Sequence, residues 1–377
     1  MKIDVSKIAT EFNSERCYVH ARGVMRPGGF GIITMQKLEL SGSDLFYGIE
    51  MIKTVDGGET FTEPVLCEGL RRRYFADGTS EVMCDATPFY HEKTGKIILI
   101  GHLAIYGADD KGCSATKERS TVYAVYDDKK GDFSSFKTVE MPKTENNEYF
   151  SSGSGCSQIY EEENGDLLIP FYYQSYENAF VLNKLQFAAS VMRCSFDGET
   201  ISVSEIGNRL TVDVPRGICE PSVIKFKDAY YLALRNDVTG YLSKSKDGIH
   251  YEKPVELCFD NGENLGNYNT QQHWLVGGGR LWLVYTRRAG NNDHVFRHRA
   301  PLFIAELDTE SMRVIRDTEK IAVPERGARL GNFGCQSYSD NIGYVFAAEW
   351  MQGDNGLSGC MKYGSDNSIF ISRIEFD

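Results

Sequence analysis

Two stretches of this 377-residue chain carry more chemically capable side chains than a strand or a turn needs. Asn267-Tyr268-Asn269-Thr270-Gln271-Gln272-His273-Trp274 packs amides, an imidazole and an indole together, and the run from Arg287 to Arg299, RRAGNNDHVFRHR, is dense in arginine and histidine. His20, His91 and His102 add further imidazoles. Histidine titrates near neutrality. Paired with tyrosine, and flanked by arginines that neutralise a carboxylate, it can take the proton next to a uronate carboxylate, which is polysaccharide-lyase chemistry. The bland alternative is that these histidines bond backbone carbonyls in loops. A metal centre is not expected, because His91 and His102 are too far apart for a helical ligand pair and no cysteine flanks them at ligand spacing. No glycine-rich loop follows a strand and opens a helix, so no nucleotide cofactor is implied and none of any kind is expected.

Any such residues must be positioned by strands. The chain has 37 glycines, 21 tyrosines and 21 phenylalanines against 10 prolines, a mixture of turn formers and aromatics that favours sheets over helices. Short runs rich in β-branched or aromatic residues recur throughout: 30–36, 45–53, 97–105, 122–126, 167–173, 187–194, 222–227, 230–235, 281–287, 302–307, 342–349 and 369–374. No helix longer than two turns and no compositional break is evident, so residues 1–377 read as one all-β domain. A small turn is reused along it: Thr54-Val55-Asp56-Gly57-Gly58-Glu59-Thr60-Phe61, Ser245-Lys246-Asp247-Gly248 followed by Tyr251, and more weakly Ser195-Phe196-Asp197-Gly198. Reuse of one unit points to a repeat fold. Four-stranded blades of ~40–50 residues would make a β-propeller of six blades, with seven also fitting the length.

The net charge of −12 argues against nucleic acid or an anionic membrane as the main partner. The start, MKIDVSKIATEF, has no signal-peptide apolar core and no segment is long enough to span a bilayer. As given, the chain reads as soluble and cytoplasmic, or as secreted or periplasmic if a leader was removed. The ten cysteines form no CxxC pair and read as scattered, mostly buried thiols, although their even number leaves disulfides open.

The reused turn resembles the Asp box, Ser/Thr-x-Asp-x-Gly-x-x-Trp/Phe, of the sialidase superfamily. Thr54, Asp56, Gly58 and Phe61 match its full spacing, and Ser245, Asp247, Gly248 and Tyr251 match a version one residue shorter. In that family the box is structural and remote from the catalytic face. Cys219-Glu220-Pro221-Ser222 with Tyr231-Leu232-Ala233-Leu234-Arg235 looks like the family's Glu-opening and Arg-closing strand pair, and Arg299-Ala300-Pro301-Leu302 looks like its third-arginine strand. Ser337-Tyr338-Ser339-Asp340, ending at Ala348-Glu349-Trp350, is similar to the tyrosine strand pair.

The resemblance implies a glycoside hydrolase that removes a terminal acidic sugar, sialic acid or a relative. Tyr338 would attack, Glu220 would activate it, and Arg235 and Arg299 would hold the carboxylate. Guanidinium forks suit a carboxylate, and a neutral nucleophile avoids repulsion by an anionic substrate. The family's early Arg-Ile-Pro has no counterpart; Arg22 or Arg16 stands in that region, and Asp44, with Glu50 in reserve, fills the acid position. His273 is a further candidate for substrate contact. Taken singly, each has a structural reading: Arg235 and Arg299 as ion-pair partners, Tyr338 as a packing aromatic, Asp44 as a turn cap and Glu220 as a strand start. Arg71-Arg72-Arg73 reads as a solvated loop. The rivals are a uronate lyase and a non-catalytic carbohydrate-binding propeller.

Overall fold

The computed structural model describes residues 1–10, 12–40, 44–110, 118–266 and 270–377. The β-branched and aromatic runs form second and third strands of six largely antiparallel sheets, except 222–227, which lies in the first strand of the fourth. The first three blades are built on Arg16–Met25, Gly31–Glu39 and Phe46–Thr54; on Ser80–His91, Lys96–Tyr106 and Thr121–Asp127; and on Ser151–Gly153, Leu167–Gln174 and Gln186–Phe196. The other three are built on Cys219–Phe226, Ala229–Arg235 and Tyr241–Ser245; on His273–Gly277, Arg280–Tyr285 and Leu302–Asp308; and on Gly334–Ser339, Ile342–Ala348 and Ile369–Glu375. The three strands named for each blade run inside to outside in chain order. The result is a six-bladed β-propeller.

The ring closes through main-chain hydrogen bonds. Lys2–Ile8 pairs antiparallel with Ile369–Glu375, in register from Lys2↔Glu375 to Ile8↔Ile369, so the outer strand of the sixth blade comes from the start of the chain. Apolar side chains fill the seams between blades rather than the axis. Ile224 and Tyr231 meet Trp274, Leu283 and Phe303 between the fourth and fifth blades, and Ile33 and Ile52 meet Tyr344 and Phe346 between the sixth and first. Each fully buried side chain of this size is worth about 1.5–3 kcal/mol, so the seams dominate the ring's stability. The sixth seam is so close that a Cβ on Gly23 would lie 2.6 Å from the Phe346 ring.

The axis is polar. Gln158 of the third blade donates to the Trp274 carbonyl (2.9 Å) and accepts from the Trp274 amide (2.7 Å), while Gln336 makes the same pair of bonds with Met25 at 2.7 Å each. Amide side chains thus satisfy inner-strand backbone groups that have no sheet partner.

The repeated aspartate turns all lie at one end of the ring, after the third strand of a blade. Asp56 Oδ1 accepts from the amides of Glu59 and Thr60, both at 3.0 Å; Asp197 Oδ1 accepts from Glu199 and Thr200; and Asp247 Oδ1 accepts from Ile249 (3.1 Å) and His250 (2.8 Å). Asp127 and Asp308 do the same in the second and fifth blades, where the sequence shows no matching motif. The nine described cysteines are free thiols, and Cys113 lies outside the described residues. No described helix is long and apolar enough to cross a membrane. Replacing Asp247 by Ala should lower the unfolding free energy in urea by about 1–2 kcal/mol through the lost turn bonds. Ligand binding should be unchanged, because the turn is at the end of the ring opposite the cavity described next.

Candidate active site

Strand direction decides which residues can meet. The starts of first and third strands and the ends of second strands all reach the end of the ring opposite the aspartate turns. Glu220 opens Cys219–Phe226, and its neighbour Cys219 pairs with Arg235 at the end of the next strand. Asp44, Arg119 and Arg299 each stand just before a third strand, Tyr172 lies near the end of a second, and Arg329 and Asn332 precede the sixth blade's first strand. These side chains line one cavity of about 310 Å³, with His20, Asp85, His102, Arg216 and Arg297.

A backbone device recurs at this mouth. His20, Asp85, Cys156, Glu220 and Asn332, in five different blades, have φ between 47° and 68°. Strand pairing shifts register at Val19/Arg22, Cys84/Thr87 and Cys219/Ser222, around three of these residues. A non-glycine residue in this region costs about 1–3 kcal/mol. The bulge turns the side chain from the sheet face toward the axis.

Six arginines line the cavity against three carboxylates, Asp44, Asp85 and Glu220. Arg235 Nη1 donates to Glu220 Oε1 at very short range, and its Nη2 lies 3.5 Å from Asp237. Burial opposes the charge on Arg235, but Glu220 and Asp237 override it and raise its pKa. Arg299 is different. Burial, with Arg329 and Arg235 nearby, holds its pKa well below the usual value, and burial brings Arg329 down to about 9. Arg329 stacks on Trp350, with its guanidinium carbon 3.3 Å from the ring centroid, and donates to Gln352 Oε1 (2.6 Å). Positive charge in excess of local compensation, held in rigid planes, is a receptor for an oxyanion.

The cavity wall between the first and second blades holds Asp85. Its Oδ1 is 3.1 Å from His20 Nδ1 and accepts from the Cys156 thiol at 3.0 Å, and its Oδ2 is 3.6 Å from His102 Nε2. Burial raises the Asp85 pKa, but the two histidines and Arg22 outweigh it and the net shift is downward. Burial lowers His20 and His102 each to about 3, so both are neutral and weakly basic at pH 7. A Cβ on Gly155 would lie 1.9 Å from His102 Nδ1, so this wall requires glycine. Cys84, Asp85 and His102 bring ligand-type atoms within 4.8 Å of one another. Arg22 Nη2, 3.9 Å from Asp85, and Arg119, which bears on His102, put positive charge where a cation would sit.

Of the residues expected from the sequence, Glu220, Arg235, Arg299 and Asp44 come together in the cavity. Arg22 and His273 do not. Arg22 lies beneath the floor, fully buried, with Nε on the Phe333 carbonyl (3.2 Å), Nη1 on the Ala86 carbonyl (3.1 Å) and Nη2 on Cys156 Sγ (2.9 Å). His273 is buried with Nδ1 2.8 Å from Ser222 Oγ and its ring on Phe333. Tyr338 needs correction. It stands near the far end of Gly334–Ser339, packed on Tyr344, six residues past Asn332 and so about 20 Å down the strand at ~3.3 Å per residue. Asn332 is the residue this strand delivers to the mouth.

Glu50 accepts from Tyr18 (2.6 Å) and pairs with Lys37, away from the cavity. His91 bonds Thr94 and the Gly165 carbonyl, as the bland reading expected. Arg72 is not solvated: it is buried over Tyr106, bonded to Ser80 and Asp110. Arg287 forms a two-pronged pair with Glu319. Asn267, Tyr268 and Asn269 lie outside the described residues. Sequence reasoning missed Asp85, Arg119, Tyr172, Arg216 and Arg329; Asp85 sits at the bulge inside Ser80–His91, and the only signal of the others was a place at or beside a strand end.

Two outcomes are expected. His20, His102 and His273, each lowered to about 3 by burial, stay neutral in the fold while the unfolded chain protonates near 6.5. Their stabilisation is complete above pH 6.5 and is lost progressively as pH falls toward 3. Unfolding free energy at pH 5 should therefore drop by about 2 kcal/mol per histidine relative to pH 7.5, with a shallower drop in His273→Asn. Arg22→Met should cost about 3–5 kcal/mol in urea unfolding, since it removes the buried charge beside Asp85 and the donors to the Phe333 and Ala86 carbonyls.

No protein-family model matches the sequence, and no curated protein matches it. Solved structures do. A protein of unknown function from Dyadobacter fermentans superposes with a TM-score of 0.66 at 15% identity, over 99% of both chains. Trypanosoma rangeli sialidase superposes with a TM-score of 0.64 at 13% identity, over 98% of this chain but 59% of its own. The phage phi92 endosialidase matches with a TM-score of 0.61 at 11% identity, over 100% of this chain and 69% of its own. At these identities the likeness is one of fold, and the fold is the six-bladed propeller that sialidases share.

Proposed function

We propose that this propeller is a glycosidase acting on a terminal acidic sugar. The observation that supports the reading is the convergence of Arg235, Arg299 and Arg329 with Glu220 and Asp44 in one cavity. The arginines hold the sugar carboxylate, and an entering anion offsets the burial and mutual repulsion that lower the pKa of Arg299 and Arg329. Glu220 is anchored through Oε1 by Arg235, while Oε2 is buried without a hydrogen-bond partner among the described residues. That oxygen activates the attacking water. Asp44, exposed at the rim, protonates the leaving oxygen. Tyr338 takes no part.

A lyase mechanism is less well supported, because His20 and His102 are weak bases and His273 and His91 are tied up in the scaffold. A binding protein without turnover is the second reading, favoured by the tight neutralisation of Glu220 by Arg235.

Release of 4-methylumbelliferone from α-sialosides and β-glucuronides tests the proposal. Glu220→Gln should lower kcat by about 100-fold or more, and Arg299→Gln should mainly raise KM. Full activity in Glu220→Gln, or turnover of neutral glycosides alone, would overturn the mechanism. Saturable glycan binding with no turnover would select the binding reading.

A further inference from the structure

The acidic-sugar reading uses the arginines of the fourth, fifth and sixth blades. It leaves unexplained a guanidinium on the opposite wall. Arg119, which leads into the second blade's third strand, is only 9% exposed and yet lines the cavity. Its guanidinium carbon lies 4.5 Å from the centroid of the Tyr172 ring and 5.5 Å from that of the Phe187 ring. Its Nη1 donates to the Tyr172 hydroxyl at 3.1 Å. Among the described residues Nε and Nη2 have no hydrogen-bond partner, and no carboxylate lies within ion-pair distance of the group.

Those two donors form the guanidinium edge whose N–H bonds run parallel, the edge that takes both oxygens of a carboxylate, sulfate or phosphate. A buried charge without a counter-ion is costly. Here the cost is built in: the plane is fixed by two aromatic rings, one end is tied to a hydroxyl, and the backbone on either side is held by Arg119 N to Phe150 O and Ser152 N to Arg119 O (2.9 Å). Space is reserved as well, since a Cβ on Gly153 would lie 3.4 Å from Arg119 Nε and 2.7 Å from His102 Cβ.

We propose that the Nε and Nη2 edge of Arg119 is a second oxyanion subsite, so that the sugar bound in this cavity carries two anionic groups. The first sits at Arg235, Arg299 and Arg329, and the second faces Arg119 across the cavity. This rests on the acidic-sugar reading. It narrows the substrate class to sugar acids that bear a second carboxylate, a sulfate ester or a phosphate ester.

Calorimetric titration with three probes tests it: D-glucuronate with one carboxylate, D-glucarate with two, and an O-sulfated glucuronate. Wild type should bind at least one of the two dianionic probes about tenfold or more tighter than glucuronate, the range expected for one charge-assisted bidentate contact. The better probe tells a carboxylate-seeking edge from a sulfate-seeking one. Arg119→Gln should bring that probe down to the glucuronate affinity and leave glucuronate within about twofold. Arg119→Lys, which keeps the charge without the paired donors, should fall between them. Arg299→Gln should weaken all three. Equal binding of all probes by wild type, or equal weakening of glucuronate and the dianions by Arg119→Gln, overturns the second subsite and leaves the acidic-sugar reading standing. Absence of binding by every probe overturns both. Circular dichroism and urea unfolding of each variant establish that a lost affinity is not a lost fold.

Discussion

The guanidinium of Arg22 is the constraint on which the mouth of the propeller depends. It reaches from the first blade across the axis to carbonyls of the sixth and second blades and to a thiol of the third. Inner strands around a propeller axis cannot all pair with one another, so their backbone groups need side-chain partners or water. Arg22, Gln158 and Gln336 supply those partners and fix the spacing of the blades at the level just below the cavity floor. Asp85, 3.9 Å from Arg22, supplies part of the counter-charge, and in doing so it is oriented toward His20 and His102.

Above that floor the charge balance reverses. The protein as a whole carries −12, yet its cavity gathers six arginines and three carboxylates. Burial and neighbouring arginines lower the pKa of Arg299 and Arg329, whereas Glu220 and Asp237 raise that of Arg235. The energy needed to hold such a site comes from the apolar seams between blades, which lie outside the cavity. Strain at the five positive-φ residues is borne by the same framework.

How much of this could be read in advance depended on where a residue sits in its blade. Every one of the twelve apolar runs became a strand, and all but 222–227 became a middle strand, because middle strands pack both faces against neighbouring blades and so are written in Ile, Val, Tyr and Phe. Several inner strands went unseen: Arg16–Met25, Ser80–His91 and His273–Gly277 carry Arg22, His20, Asp85 and His273, polar residues that serve the axis and break the pattern. Of the five aspartate turns, the one at Asp56 carried a full signal, that at Asp247 a shortened one and that at Asp197 a weak one, because a turn needs its residues within a few positions of each other; those at Asp127 and Asp308 carried none. Arg119 and Arg329 carried no signal beyond a place beside a strand end.

What the sequence by itself determined is therefore local: strand-forming runs, hairpin turns, a repeat that implies a ring, and the Glu220 and Arg235 pair, whose meeting follows from a single hairpin. Tertiary structure alone decided the composition of the cavity. Cα positions far apart in the chain meet there because six blades present their first-strand starts at one end, and because a bulge in an inner strand chooses which side chain faces the axis. The same rule put Tyr338 at the other end of its strand and gave its expected place to Asn332. Side-chain type survives in sequence, but distance along a strand becomes position in space only when the direction of that strand in the ring is known.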